Sequence, residues 1–217
     1  MKQITKLCLV LLCKTILLSC GSGSNNDTVI KSKDGKVTVS DLQKASEQMK
    51  DAMDIAEKRK QERRERGDTL VMHYKDLQQY LPEVSGYEKK GNPGGESVSG
   101  AGFGSFSKAE QRYQSGDKRL EIELIDYNQS AYGFTAAIGM VGMNVQIEND
   151  REKTGSFNTG MEGVKGYERV FKTENRAEVT YAVVDRFLIT IKARGSNNGE
   201  ELKSIAKSMK LSELASK

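Results

Sequence analysis

His73 is the single histidine among 217 residues, so no second imidazole can share a metal ion or relay a proton with it. A Ser-His-Asp relay would have to be built on that one ring, and no G-x-S-x-G nucleophile elbow accompanies it. Beside Tyr74, His73 reads as an ordinary surface or boundary residue. The other groups that could do chemistry are carboxylates. Glu121 and Glu123 share the outer face of one expected strand, and Glu148, Asp150 and Glu152 lie near an expected turn. Paired carboxylates can act as acid and base or hold calcium, but neither group has the EF-hand spacing with its required glycine. Solvated strand faces account for both, and no metal or cofactor site is expected.

Gly100, Gly102 and Gly104 offer the alternating glycines of a phosphate-cradling turn. They lack the surrounding strand-to-helix unit, and no Gly-Lys-Ser/Thr follows, so residues 91 to 104 read as a flexible loop. The cysteines close off further chemistry. Cys8 and Cys13 fall within an apolar leader and Cys20 at its end, which leaves the rest of the chain without a thiol nucleophile, a thiolate metal site or a disulfide.

The elements that would position these groups follow from pattern. Thr28 to Val39 can form a small hairpin about Asp34-Gly35. Ser40 with Gln43 three residues on fits a capping box, and Gly67 fits a stop, so a helix is expected over 41–66. Leu42, Ala45, Met49, Ala52 and Ala56 recur on one of its faces. From Glu57 to Arg66 every side is polar, with Asp54–Lys58 and Glu62–Arg66 placed for i, i+4 pairing. Interleaved acids make this stretch a solvated spacer rather than a basic patch.

Beyond Asp68 helix and strand alternate. Tyr74 to Leu81 is expected as a short helix ended by Pro82. Phe103 to Tyr113 and Lys118 to Tyr127 form a hairpin about Ser115-Gly116-Asp117, with Leu120, Ile122 and Leu124 facing inward. Gln129 to Met143 carries Phe134, Ile138 and Val141 at helical spacing; as a helix it is too short to span a bilayer and suits core packing. Strands are expected at 145–148, 154–158, 164–172, 177–184 and 187–193, the last two joined across Asp185-Arg186. Asn198 then caps a helix presenting Leu202, Ile205, Ala206 and Met209. The fold class is α+β, an antiparallel sheet packed with helices and preceded by a long polar helix.

The N-terminus reads as an export signal: Lys2 and Lys6 precede an apolar stretch from Leu7 to Leu18 that Lys14 interrupts. It ends in Leu17-Leu18-Ser19-Cys20, which resembles the bacterial lipobox. That resemblance implies diacylglyceryl transfer to the Cys20 sulfur, cleavage before Cys20 and acylation, palmitate included, of the new amino terminus. Several acyl chains give the stable membrane attachment that one cannot. Gly21-Ser22 resembles outer-membrane sorting. The organisation expected is a signal peptide over 1–19, a flexible tether over 20–39, a polar spacer helix over 40–67 and a globular domain over 68–217. Removing Lys2, Lys6 and Lys14 takes 34 Lys+Arg to 31 against 30 acids, a net of +1. A nearly neutral chain disfavours a nucleic-acid partner. The Asn-X-Ser/Thr sequons at Asn26 and Asn128 carry no weight in such an envelope.

Leu77-Gln78-Gln79-Tyr80-Leu81-Pro82-Glu83, Phe106 to Glu110, Gly116 to Ile122 and Asp185 to Ile189 are similar to segments of a group of uncharacterised bacterial envelope proteins. The closing order of strand, Arg-Phe strand and amphipathic helix also resembles the Mog1/PsbP-like α/β/α sandwich, which implies a binding scaffold. The expectation is a lipid-anchored envelope protein, attached to the membrane through Cys20, with a non-catalytic binding or assembly module that takes an envelope protein partner. The alternatives are an envelope hydrolase using carboxylate, Ser, Lys or Tyr groups and a structural spacer acting through the 41–66 helix.

Overall fold

The computed structural model describes residues 29–32, 35–99, 104–128, 130–138 and 146–217. The expected signal peptide, Cys20, most of the expected tether, Asn26, Asp34, Gly100, Gly102 and the expected helical residues 139–143 lie outside them. The chain divides into two compact units, Met1–Leu42 and Gln43–Lys217. In the first, β1 (Val29–Ser32) and β2 (Gly35–Thr38) form the expected hairpin, with Val29 opposite Thr38.

Helix α1 (Val39–Glu65) ends as the Gly67 stop requires. Gly67 takes φ +81°, its N–H donates to the Arg64 carbonyl at 3.0 Å, and Asp68 N–H donates to the Arg63 carbonyl at 2.9 Å. This is a Schellman closure, which only a residue at ease with positive φ completes cheaply. The side-chain pairing departs from expectation. Among the described residues the ion pair within the helix is Glu57–Lys60 at 3.8 Å, and Gln61 donates to Glu65 at 3.2 Å. Asp54–Lys58 and Glu62–Arg66 do not pair within 4 Å, because exposed side chains gain little by fixing one geometry.

The expected helix at 74–81 is α-helical only over α2 (Tyr74–Leu77) and tightens to a 3-10 turn over Gln78–Tyr80. Pro82 forces Leu81 into extended backbone, at φ −74° and ψ 122°, so the last turn cannot stay α-helical.

The sheet has nine antiparallel strands: β3 (Glu88–Lys89), β4 (Gly94–Val98), β5 (Phe106–Ser115), β6 (Lys118–Asp126), β7 (Ile147–Glu148), β8 (Glu152–Phe157), β9 (Val164–Phe171), β10 (Arg176–Val183) and β11 (Phe187–Arg194). The order is β3-β5-β6-β11-β10-β9-β8-β7, with β4 also paired to β5. Register follows burial: Val179, Tyr181 and Val183 lie opposite Ile191, Ile189 and Phe187. A one-residue slip would turn all six outward. Strand β4 falls where a loop is expected. Gly-Gly-Glu-Ser-Val has weak strand propensity, yet Gly95 lies where an added Cβ would come within 2.7 Å of both the Lys108 carbonyl and the Tyr74 ring.

Two apolar clusters sit on opposite faces of the sheet. Leu77, Tyr113, Leu120, Ile122, Leu124, Ile189 and Ile191 pack with Leu202 and Ala206 of α4 (Gly199–Lys207), with Met209 just after it and with Leu211 and Leu214 of α5 (Leu211–Ala215). The alternate side chains Tyr167, Ala182 and Leu188 pack against Phe134 and Ile138 from α3 (Ala131–Ala137) and the residue after it. The fold is thus α+β, with an antiparallel sheet and short helices. Among the described residues no helix is long and apolar enough to cross a membrane.

Candidate functional site

Among the described residues, buried polar groups converge at the β10–β11 turn. Val184 and Asp185 adopt φ +46° and +52°, and Arg186 N–H donates to the Val183 carbonyl at 3.0 Å. Left-handed backbone is rare for a β-branched residue. Val184 is held there by its own N–H, which donates to the Gly163 carbonyl at 2.8 Å, and Gly163 has no Cβ to meet the Val184 methyl. The turn directs Arg186, only 4% exposed, inward across the end of the sheet.

There its guanidinium grips Asp126 through two bonds, Nε to Oδ1 at 2.9 Å and Nη2 to Oδ2 at 2.8 Å, and Nη1 donates to Asp68 at 2.7 Å. Asp126 is fully buried, and the backbone N–H groups of Met72 and Asn128 complete its shell at 2.7 and 2.8 Å. The Asn128 amide donates to the Asp68 side chain at 3.1 Å and to the Leu70 carbonyl at 2.9 Å. Its oxygen accepts from Arg63 Nε at 2.7 Å. Arg59 of α1 pairs with Asp185 at 3.1 Å. The last turns of α1, expected to be solvated on all sides, therefore bury Arg63 to 5% exposure against the sheet end. Burial and the neighbouring Arg186 charge hold its guanidinium below its ordinary pKa, against the pull of Asp68, Asp126 and Asp185.

A cleft of about 240 Å³ opens beside this cluster, lined by Arg59, Glu62, Arg63, Arg66, Arg186 and Lys217 among others. Chemically it presents cationic forks to whatever enters.

The groups singled out from sequence lie apart from it. His73 caps α2, its Nδ1 accepting from Lys75 N–H at 3.3 Å. Glu121 and Glu123 belong to a charged ladder across β5 and β6, pairing with Arg112 at 3.8 Å and Lys108 at 3.9 Å. Glu148 meets Lys172 at 3.2 Å and Glu152 meets Arg169 at 3.1 Å, so the acids near that turn are dispersed among strand cations. No three His, Cys, Asp or Glu side chains among the described residues are grouped to hold a metal ion. Asn128, noted from sequence only as a sequon, is fully buried and lies at the centre of the cluster.

Sequence reasoning passed over Asp126 and Arg186, although a signal was present. Leu120, Ile122 and Leu124 mark the inward parity of β6, and Asp126 stands next on that same parity opposite Phe187. A carboxylate on the core side of a strand demands a cationic partner.

A second buried charge, Glu168 on β9, accepts from Lys153 at 2.6 Å and Lys203 at 2.7 Å. Burial opposes its ionisation, but the two lysines prevail and hold its carboxyl below the ordinary value. Lys203 is likewise raised: burial lowers it, and the bonds to Glu168 and Glu200 outweigh that. Burial, with a carboxylate partner in each case, pushes Tyr80 and Tyr87 up to about 12.

No family model matches the chain, and no curated protein matches it. Among solved structures it is similar to the extracellular domain of PknH from Mycobacterium tuberculosis, with a TM-score of 0.38 at 10% identity, covering 68% of this chain and 93% of that one.

Proposed function

We propose that this chain is a protein of a bacterial cell envelope, lipid-anchored through Cys20, whose α+β domain binds or assembles rather than catalyses. Anchoring rests on the Leu17-Leu18-Ser19-Cys20 tetrad after an apolar leader, followed by the Gly-Ser-rich residues 21–24. The domain reading is carried by one observation, the direction in which its buried and half-buried carboxylate, amine and phenol groups are moved. A hydrolase working with carboxylate, lysine or tyrosine needs a carboxyl raised or an amine lowered toward neutrality. Here Glu168 is lowered, while Lys108, Lys203 and the buried phenols are raised. These are the shifts of groups held charged in ion pairs or neutral in a core, which suit a rigid recognition scaffold.

The anchor is tested by fractionating cells that express the full chain or Cys20→Ser, with radiolabelled palmitate. The intact protein is expected in the membrane fraction with label, and the variant without it. Label that persists in the variant contradicts the reading.

A further inference from the structure

We propose that the cleft between the end of α1, the β10–β11 turn and the C-terminal residues binds a phosphate oxyanion, with Arg63 as its principal ligand. Three observations carry this. First, Arg63 is only 5% exposed and lines the cleft, and among the described residues its side-chain hydrogen bonding is limited to Nε donating to the Asn128 amide oxygen. Among the described residues no carboxylate lies within 4 Å of its guanidinium, so both terminal nitrogens keep donors free on the cleft side. A buried guanidinium is ordinarily matched by an anion, because an unmatched charge away from water is strongly destabilising.

Second, the nearby acids are already engaged. Asp126 and Asp68 hold Arg186 at 2.8 and 2.7 Å, and Asp185 holds Arg59 at 3.1 Å. Among the described residues no ion pair within 4 Å engages Arg66 or Lys217, which line the same cleft together with Glu62. Third, the site is built rather than floppy. Asn128 orients Arg63 at 2.7 Å, and Asn128 is itself fixed by Asp68 and the Leu70 carbonyl. A planar fork held in place by such a second layer matches the bidentate geometry of phosphate or carboxylate oxygens. The cleft volume of about 240 Å³ admits a phosphate with a small substituent.

The inference rests on the binding-module reading and gives that module a ligand class; it is independent of the anchor. It is tested by calorimetry on the full chain in detergent, titrated separately with inorganic phosphate and with a short-chain phosphatidylglycerol below its micelle concentration. Saturable binding is expected, weakened about tenfold or more by Arg63→Met and several-fold by Arg66→Gln. Arg66 is exposed and makes no contact in the buried cluster, so its variant keeps the test meaningful if Arg63→Met fails to fold. Binding of inorganic phosphate assigns the site to a soluble phosphate, and binding of the lipid alone assigns it to a headgroup. No saturable heat with either probe, or binding unchanged in both variants, overturns the proposal. Either failure leaves palmitate labelling of Cys20 untouched, so the two readings fall separately.

Discussion

At the scale of single residues, Arg186 decides how the end of the sheet is built. Its guanidinium satisfies two acids, and the fully buried Asp126 has four donors around it. Such a pair adds little over a well-packed apolar substitute, but breaking one side strands the other charge. Asp126→Ala is therefore predicted to cost about 3–5 kcal/mol in urea unfolding, and Asp126→Leu combined with Arg186→Met to recover most of it. Equal losses in the single and double variants would show that the pair is not the unit. Glu168 supplies a pH test. Its folded pKa lies below the ordinary glutamate value because Lys153 and Lys203 outweigh burial, so its contribution is present above that ordinary value and is lost as pH falls through the lower folded value. The stability difference between wild type and Glu168→Gln is predicted to shrink as pH is lowered from about 6 to about 3. A difference constant over that range would contradict the assignment.

At the scale of elements, α4 shows how caps and stripes act together. Asn198 accepts from Glu201 N–H at 3.1 Å, and Leu202, Ala206 and Met209 are fully buried against the sheet. Asn198→Ala is predicted to lower stability by about 1 kcal/mol with the spectrum of the folded state unchanged; no loss on thermal unfolding would remove the cap from the account. This helix was legible because cap and apolar period agree. Strands β10 and β11 were legible for the same reason, since Val179-Tyr181-Val183 and Phe187-Ile189-Ile191 alternate without interruption. Strand β4 was not, because Gly95 suits the close approach of Tyr74 and the Lys108 carbonyl rather than strand propensity. Helix α5 was not, because five residues carry too little period to read and begin after Lys210 at φ +53°. The site was the least legible part. Arg63 sits in a run of charges that reads as solvated, and only the placement of Asn128, 65 residues away, makes it a buried group.

At the scale of the whole molecule, the proposed envelope protein would join an export leader and a lipidated Cys20 to the α+β domain. The described part contributes a sheet with both faces partly covered and a cationic cleft at one end. On the reading proposed above, residues 1–19 and Cys20 would supply the address, and the envelope assignment depends on that address being used. The most direct measurement is mass spectrometry of the amino terminus of the protein recovered from washed membranes. The account predicts a chain that begins at Cys20 and carries a diacylglyceryl thioether. A chain that retains residues 1–19, or a free Cys20 thiol, would contradict it.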